Sequence, residues 1–313
     1  LFSQTSRKAL IEIGALDWAL INPDILGSMM QAVVNDINRE ELGMHYTSVK
    51  NILKTIGPLF LNDIIEDFRL ADNDIKKLKS LLKKIYKIRI FDPACGSGNF
   101  LVIAYKELCR IEIEIFKRLR EVDSNEWLIL RSGIQLTQFF GIEIDDYAHE
   151  ASKLSLWIAE HQMNIAFEEI LGEAKPTLPL STSGNIFCGN AIEVDWKKIC
   201  PHDNEKNTYI LGNPPYSGAK KQNQNQKKDV EKVFKKFKSY KNLDYISCWF
   251  YLASEYIKNT KNKFAFVSTK SISQGELAGL LWPSIQKLDL EIFFAHKPFV
   301  WNNHAKGNAG VTC

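Results

Sequence analysis

No apolar run in the 313-residue sequence approaches the ~18 residues that a membrane helix needs. The opening "LFSQTSRKALIEIG" has no long apolar stretch behind its basic pair Arg7/Lys8, so no secretory leader is expected. Cysteines are few and scattered: Cys95, Cys109, Cys188, Cys200, Cys248 and Cys313. None is spaced as a C-x-x-C metal knuckle, and they are too sparse for a disulfide scaffold. Reduced thiols in a cytoplasmic protein are the expectation. The six histidines, among them His45, His149 and His161, suggest no close ligand set, and no metal is expected. Internal repeats and long low-complexity tracts are lacking; the nearest is "KKQNQNQKKD". The chain starts at Leu1 rather than Met and stops at Cys313 inside an apolar stretch, which reads as a fragment of a longer protein.

What remains is an ordinary globular composition, 45% hydrophobic and 25% charged, long enough for one large α/β domain or two smaller ones. The net charge of +3 says less than its distribution. Residues 217–241, "SGAKKQNQNQKKDVEKVFKKFKSYK", hold nine lysines against Asp229 and Glu231, a local +7, so the rest of the chain is at −4. Such a segment either grips phosphate or forms a solvated loop followed by a charged helix face, and the two are compatible.

Apolar spacing suggests two helices over residues 5–41, broken at Pro23. After the polar turn "ELGMHYTS", "VKNILKTIGPLFLNDIIEDF" resumes a helical pattern, and "DIKKLKSLLKKIYK" (74–87) is a basic amphipathic helix. The period then changes. "IRIFDPA" (88–94), "FFGIEID" (139–145), "NIFCGN" (185–190), "TYILGNPP" (208–215), "KFAFVST" (263–269) and "LEIFFAH" (290–296) read as short buried strands. Helical patterns follow the first strand to about residue 120, fill 147–168, and return in "DYISCWFYLASEYIK" (244–258). Apolar strands alternating with helices predict a parallel sheet covered on both faces.

In such sheets ligands bind at the carboxyl ends of the strands. Four polar groups fall there: Asp92, Glu143, Asn190 and Asn213. "DPACGSGNF" places Gly96 and Gly98 in a strand-to-helix turn, either for close approach of a ligand to the backbone or as a tight turn only. It is not G-x-G-x-x-G, which weakens a dinucleotide reading. A carboxylate at Glu143 can accept both hydroxyls of a ribose, or serve a helix cap; Asp145 and Asp146 read as cap and first-turn acids. In "ILGNPPYSG" the prolines must lie past the strand end, since they cannot donate to a ladder. The side-chain carbonyl of Asn213 and the backbone carbonyl of Pro214 are converging acceptors, suited to an NH₂ group. The amino lone pair of adenine or cytosine is delocalised into the ring, and two hydrogen bonds to its protons free it for attack. Tyr216 can stack on a base flipped from the duplex. No Pro-Cys dipeptide, the usual mark of C5-cytosine methylation, is present.

Together these residues resemble a gamma-class S-adenosylmethionine-dependent DNA adenine-N6 methyltransferase, with "HYTS", then the glycine-rich motif, then NPPY. The chain is most similar to the methyltransferase region of type IIG/IIL, MmeI-like restriction-modification enzymes, through "FDPACGSGNFL", "GIEID", "GNPPY", "FVSTKSISQGE" and "FAHKPFVWNNHAKGNAGV". The resemblance implies a class I, Rossmann-like α/β fold with a mostly parallel, seven-strand-type sheet. It also implies a helical N-terminal region (1–84) ahead of the methyltransferase domain (85–313), with "LEIFFAH" and "AGVTC" pairing as its antiparallel end. For S-adenosyl-L-methionine it implies Tyr46 and Thr47 near the methionine moiety, Asp92, Ala94, Gly96 and Gly98 in the main loop, Glu143 on the ribose, and Ile144, Asn190 and Ala191 around the adenine. Asn190 departs from the acid that many relatives carry, although an amide can still bond the adenine amino group. Asn213, Pro214, Pro215 and Tyr216 would form the acceptor site, and Phe299 is a candidate second aromatic. The partner implied is double-stranded DNA, with no membrane. Such enzymes often add a nuclease and a target-recognition domain; no compact P-D…E-x-K constellation is found, and recognition modules would follow "HAKGNAGV". Methyl transfer to cytosine N4, rRNA guanine or protein glutamine, and a DNA-binding module with a dead site, are the rival readings.

Overall fold

A computed structural model of the chain describes residues 3–18, 20, 48–122, 132–172, 184–297, 299–301 and 309–312. The first helix, α1 (Gln4–Gly14), is capped by Ser3, whose hydroxyl accepts the Ser6 N–H. The second helix expected before residue 41, with Tyr46 and Thr47, lies outside the described residues. From Ser48 the chain runs through α2 (Val49–Ile56), a π-turn over Gly57–Leu61 and α3 (Asn62–Ala71). Pro58 has no N–H to give, and the wider turn, closed by Asn62 N–H on the Gly57 carbonyl, absorbs it without ending the helix. Capped by Asp74, α4 (Ile75–Tyr86) buries Leu78, Leu81, Leu82 and Ile85 and leaves Lys76, Lys77, Lys83 and Lys84 exposed.

Five strands, β1 (Ile88–Asp92), β2 (Phe139–Glu143), β3 (Asn185–Cys188), β4 (Asn207–Gly212) and β5 (Lys263–Phe266), form a parallel sheet in the order β3-β2-β1-β4-β5. Parallel neighbours need long crossovers. Here α5 (Asn99–Val122) links β1 to β2, α6 (Asp146–Leu171) links β2 to β3, and the short α7 (Trp196–Ile199) precedes β4. Between β4 and β5 come α8 (Gln224–Phe234) and α9 (Ser247–Ile257). Successive strand residues point to opposite faces. Ile90, Leu211 and Ala265 join one core with α2–α6, while Phe91, Ile210 and Phe266 join the other with α8, α9 and α10 (Gly275–Gln286). Both faces of the sheet are therefore covered, as the apolar strands predict.

The expected seven-strand sheet is corrected to five strands plus a separate antiparallel sheet in the order β6-β8-β7, from β6 (Ser268–Thr269), β7 (Phe299–Trp301) and β8 (Ala309–Thr312). "KFAFVST" splits at Val267: its N–H still reaches the Gly212 carbonyl at 3.0 Å, and the next two residues turn away to pair with β8. "AGVTC" is a strand and antiparallel, but "LEIFFAH" is not its partner. That segment is held by side chains rather than a backbone ladder. Phe294 packs on the α2–α6 core, Lys263 Nζ sits 4.7 Å from the Phe293 ring centre, and His296 Nε2–H donates to the Lys54 carbonyl at 2.9 Å.

Candidate active site

After β3 the chain leaves one edge of the sheet and re-enters beyond β1 as β4. The carboxyl ends of β1 and β4 lie side by side where the winding reverses, the place where open parallel sheets leave a crevice. Asp92 ends β1 and Gly212 ends β4. Gly212 has φ +148°, and a Cβ there would stand 2.5 Å from Asp92 Oδ1, so glycine is what lets the two ends meet. Asp92 Oδ1 accepts the Ala94 N–H at 3.0 Å, whereas its Oδ2 is buried without a hydrogen-bond partner. Burial pushes the Asp92 pKa up to about 8; the Ala94 bond opposes this and the charge of Glu143 adds to it.

The turn after β1 curls back on β2. Cys95 N–H donates to the Ile142 carbonyl at 3.1 Å and Gly98 N–H to the Cys95 carbonyl at 2.8 Å. Gly96 and Gly98 take φ of +55° and +84°. A side chain on Gly96 would meet nothing within 4 Å, so the outer side of the loop is open, while one on Gly98 would press on Ser152. Gly96 N–H donates to Glu143 Oε2 at 2.7 Å and Asp145 N–H to Glu143 Oε1 at 2.9 Å. Burial raises the Glu143 pKa, and those two bonds hold it down in part. Each oxygen keeps a second lone pair for a further donor. Asp145 caps α6 through the Ala148 N–H at 2.8 Å, with Asp146 in the first turn, as the sequence suggests. Ile144, 56% exposed, and Tyr147 offer apolar surface beside this edge.

Past β3, Asn190 Oδ1 accepts the Ile192 N–H at 2.9 Å, and its Nδ2 donates to the two oxygens of Asp229 at 3.3 and 3.2 Å. Ala191 is buried in the core and gives its carbonyl to Trp196 Nε1–H. At the end of β4, Asn213 is half-buried, and its Oδ1 is fully buried with no hydrogen-bond partner. Pro214 is buried; Pro215 and Tyr216 are half-buried, with Tyr216 packed on the α8–α10 core. The segment beyond is pinned by residues that the sequence did not single out. Asp244 Oδ1 accepts the Ser217 N–H, Tyr245 N–H reaches the Ser217 carbonyl, and Trp249 Nε1–H donates to the Pro93 carbonyl. Asp229, the partner of Asn190, stood out in the sequence only as one of two acids among nine lysines. The structure thus brings Asp92, Ala94, Gly96, Gly98, Glu143, Asn190 and Asn213–Tyr216 to one sheet edge. Phe299 opens β7, and its side chain lies outside the described residues, as do Tyr46 and Thr47.

One histidine does approach other ligand types. Atoms of His149, Asp146 and Cys188 lie within 4.8 Å of one another. His149 Nε2–H donates to the Ile186 carbonyl at 3.2 Å, which holds the ring, while its Nδ1, 3.1 Å from Glu150 Oε1, makes no hydrogen bond. Among the described residues, five cysteines are free, and no helix is long and apolar enough to cross a membrane.

The model of a protein family described as "MmeI, DNA-methyltransferase domain" matches residues 68–313. The chain is 54% identical over 312 residues to DNA methyltransferase A of Bacillus subtilis (strain 168), covering 99% of this chain and 35% of that protein. It is 24% identical over 257 residues to the type II restriction enzyme and methyltransferase RM.Eco57I of Escherichia coli, covering 72% of this chain and 24% of that protein. A solved structure of the type IIL restriction-modification enzyme MmeI in complex with DNA superposes with a TM-score of 0.88 at 40% identity, covering all of this chain and 42% of that one. The chain therefore spans about a third of the length of the relative it matches over nearly its whole extent.

Proposed function

The chain belongs to the MmeI DNA-methyltransferase domain family, and from that premise we propose that it methylates the N6 amino group of adenine in DNA, with S-adenosyl-L-methionine as donor, within a longer restriction-modification protein. The observation that carries the reading is Asn213 Oδ1, a buried acceptor without a donor at the carboxyl end of β4. Buried polar atoms in native proteins are nearly always paired, so an orphan at a crevice points to a ligand that supplies the proton.

The residues present fit the cofactor. Glu143 has acceptor capacity left on both oxygens for the ribose hydroxyls. Asp92 Oδ2 is a second buried polar atom without a partner, and the open outer side of Gly96 leaves room along the loop. Ala94 and Gly98 would belong to the main loop, Ile144, Asn190 and Ala191 would surround the adenine, and Tyr46 and Thr47 would lie near the methionine end. When bound, S-adenosylmethionine supplies an electrophilic methyl group on a cationic sulfur. The chain's own part is positioning and hydrogen bonding. Asn213 Oδ1 and the Pro214 carbonyl accept the two protons of the target amine, which localises its lone pair. Pro215 stiffens that backbone, Tyr216 holds the base plane, and Phe299 is the candidate for its other side. The exposed lysines of 217–241 receive the phosphates.

The test compares methyl incorporation into DNA by the full-length protein and its Asn213→Ala variant. The variant should fold and keep its cofactor, yet lose ~10²–10³ in rate, the cost of a hydrogen bond made chiefly in the transition state. Comparable rates would overturn the mechanism. Label on cytosine N4 would overturn only the adenine assignment.

A further inference from the structure

Asn190 stands at the third strand end with both ends of its amide engaged. Its Nδ2 donates to both oxygens of Asp229, at 3.3 and 3.2 Å, and its Oδ1 accepts the Ile192 N–H. Asp229 comes from α8, 39 residues further along, and is 8% exposed. It is an acid inside the most basic stretch of the chain, and it is turned inward while its neighbours Lys227 and Lys228 face solvent. Tyr245 Oη–H closes the arrangement on Asp229 Oδ2 at 2.7 Å.

An ionised carboxylate only accepts hydrogen bonds. The amide of Asn190 must therefore turn its NH₂ toward Asp229, and its carbonyl is the only end left for anything else. Oδ1 retains a second lone pair after the Ile192 bond. A carbonyl fixed in this sense accepts from an exocyclic amino group and repels an exocyclic oxygen. We propose that Asp229 is a positioning residue that locks the Asn190 amide carbonyl-outward and so makes the cofactor site selective for adenine over hypoxanthine. The proposal rests on the S-adenosylmethionine reading above, and it gives a physical role to the departure at Asn190: the acid is supplied from α8 and acts through the amide.

The test measures, by calorimetry on the full-length protein, affinities for S-adenosylhomocysteine and for its hypoxanthine counterpart, S-inosylhomocysteine. The wild type should prefer the adenine form by at least about tenfold, since a polar site rejects a ligand that leaves its groups mispaired. In Asp229→Asn the acceptor that demands the NH₂ end gives way to an amide that accepts or donates equally well, only the Ile192 N–H still holds Oδ1, and the preference should fall to within about threefold. The exchange Asn190→Asp with Asp229→Asn restores a fixed acceptor and should restore the preference; it also carries the test if the single variant does not fold. Tyr245→Phe trims the same network but leaves both Asn190 bonds, and should keep the wild-type ratio. An Asp229→Asn protein that folds and still discriminates as the wild type does overturns the proposal. So does an exchange variant that folds without discriminating, or a Tyr245→Phe loss as large as that of Asp229→Asn. A wild type that binds both forms equally refutes the role of Asn190 and Asp229 but leaves the cofactor reading standing. Binding of neither form ends both.

Discussion

Asp92 and Glu143 are both buried at one sheet edge, yet their surroundings treat them differently. Both oxygens of Glu143 accept a backbone N–H, while Asp92 has one oxygen without a donor. Glu143→Ala removes a charged acceptor whose hydrogen bonds are worth about 1.5–3 kcal/mol each. S-adenosylmethionine affinity should drop at least about tenfold in calorimetry, and an unchanged affinity would place the ribose elsewhere. Asp92 sits near pKa 8 in the fold, against 3.8 as its ordinary value. The folded state thus holds a proton that the unfolded chain releases, and the stability this contributes is present below about pH 4 and lost as the pH rises through about 8. Asp92→Asn keeps an acceptor for the Ala94 N–H and has nothing to ionise. Its melting temperature should therefore vary less than that of the wild type between pH 4 and 8 and be higher at pH 9. Parallel pH profiles for the two proteins would contradict this account.

Local elements divide into those with a clear period and those without. The amphipathic 74–87 and 147–168 patterns became α4 and α6 within a few residues, because one face of each is apolar and a side-chain cap stands at the start. In "QNQKKDVEKVF" the helix α8 is set by a capping box between Asn223 and Gln226, and only Asp229, Val230 and Phe234 are buried. Its lysines are left to solvent, which suits a phosphate-binding face. Lys227→Gln with Lys228→Gln should weaken DNA binding across sequences and reduce the salt slope of log affinity by about 2. A slope that does not move would return the segment to a plain solvated helix. At the end of β4, Gly212→Ala would force a Cβ against Asp92 Oδ1 at 2.5 Å in an unfavourable φ. Overpacking in a tight core costs roughly 1–3 kcal/mol. The variant should melt earlier and lose cofactor affinity; a wild-type melt would mean that β1 and β4 part more easily than their packing suggests.

The sheet has helices on both faces, and the two cores lie on opposite sides of its strands. The site residues brought to the carboxyl edge come from the ends of four strands, β1, β2, β3 and β4. Site geometry therefore depends on the sheet that sets these strand ends side by side. The chain matches 35% and 42% of the length of two relatives, which are therefore longer proteins.

Apolar strands broken by helix periods determined the fold class, because a run such as "IRIF" can be satisfied only when both of its faces are covered. The residue types at the strand ends, Asp92, Glu143, Asn190 and Asn213, were equally legible, since each follows an apolar run directly. Strand count and pairing were not. "LEIFFAH" has the composition of a strand, yet its rings and His296 found side-chain and carbonyl partners, and "FVW" became the strand instead. Period alone cannot tell which of two apolar segments will win a backbone ladder, because pairing depends on what the rest of the chain brings alongside. The partners of the site residues were hidden for the same reason. Only the folded chain sets Asp229 against Asn190, Gly212 against Asp92 and Trp249 against Pro93, over separations of 39, 120 and 156 residues.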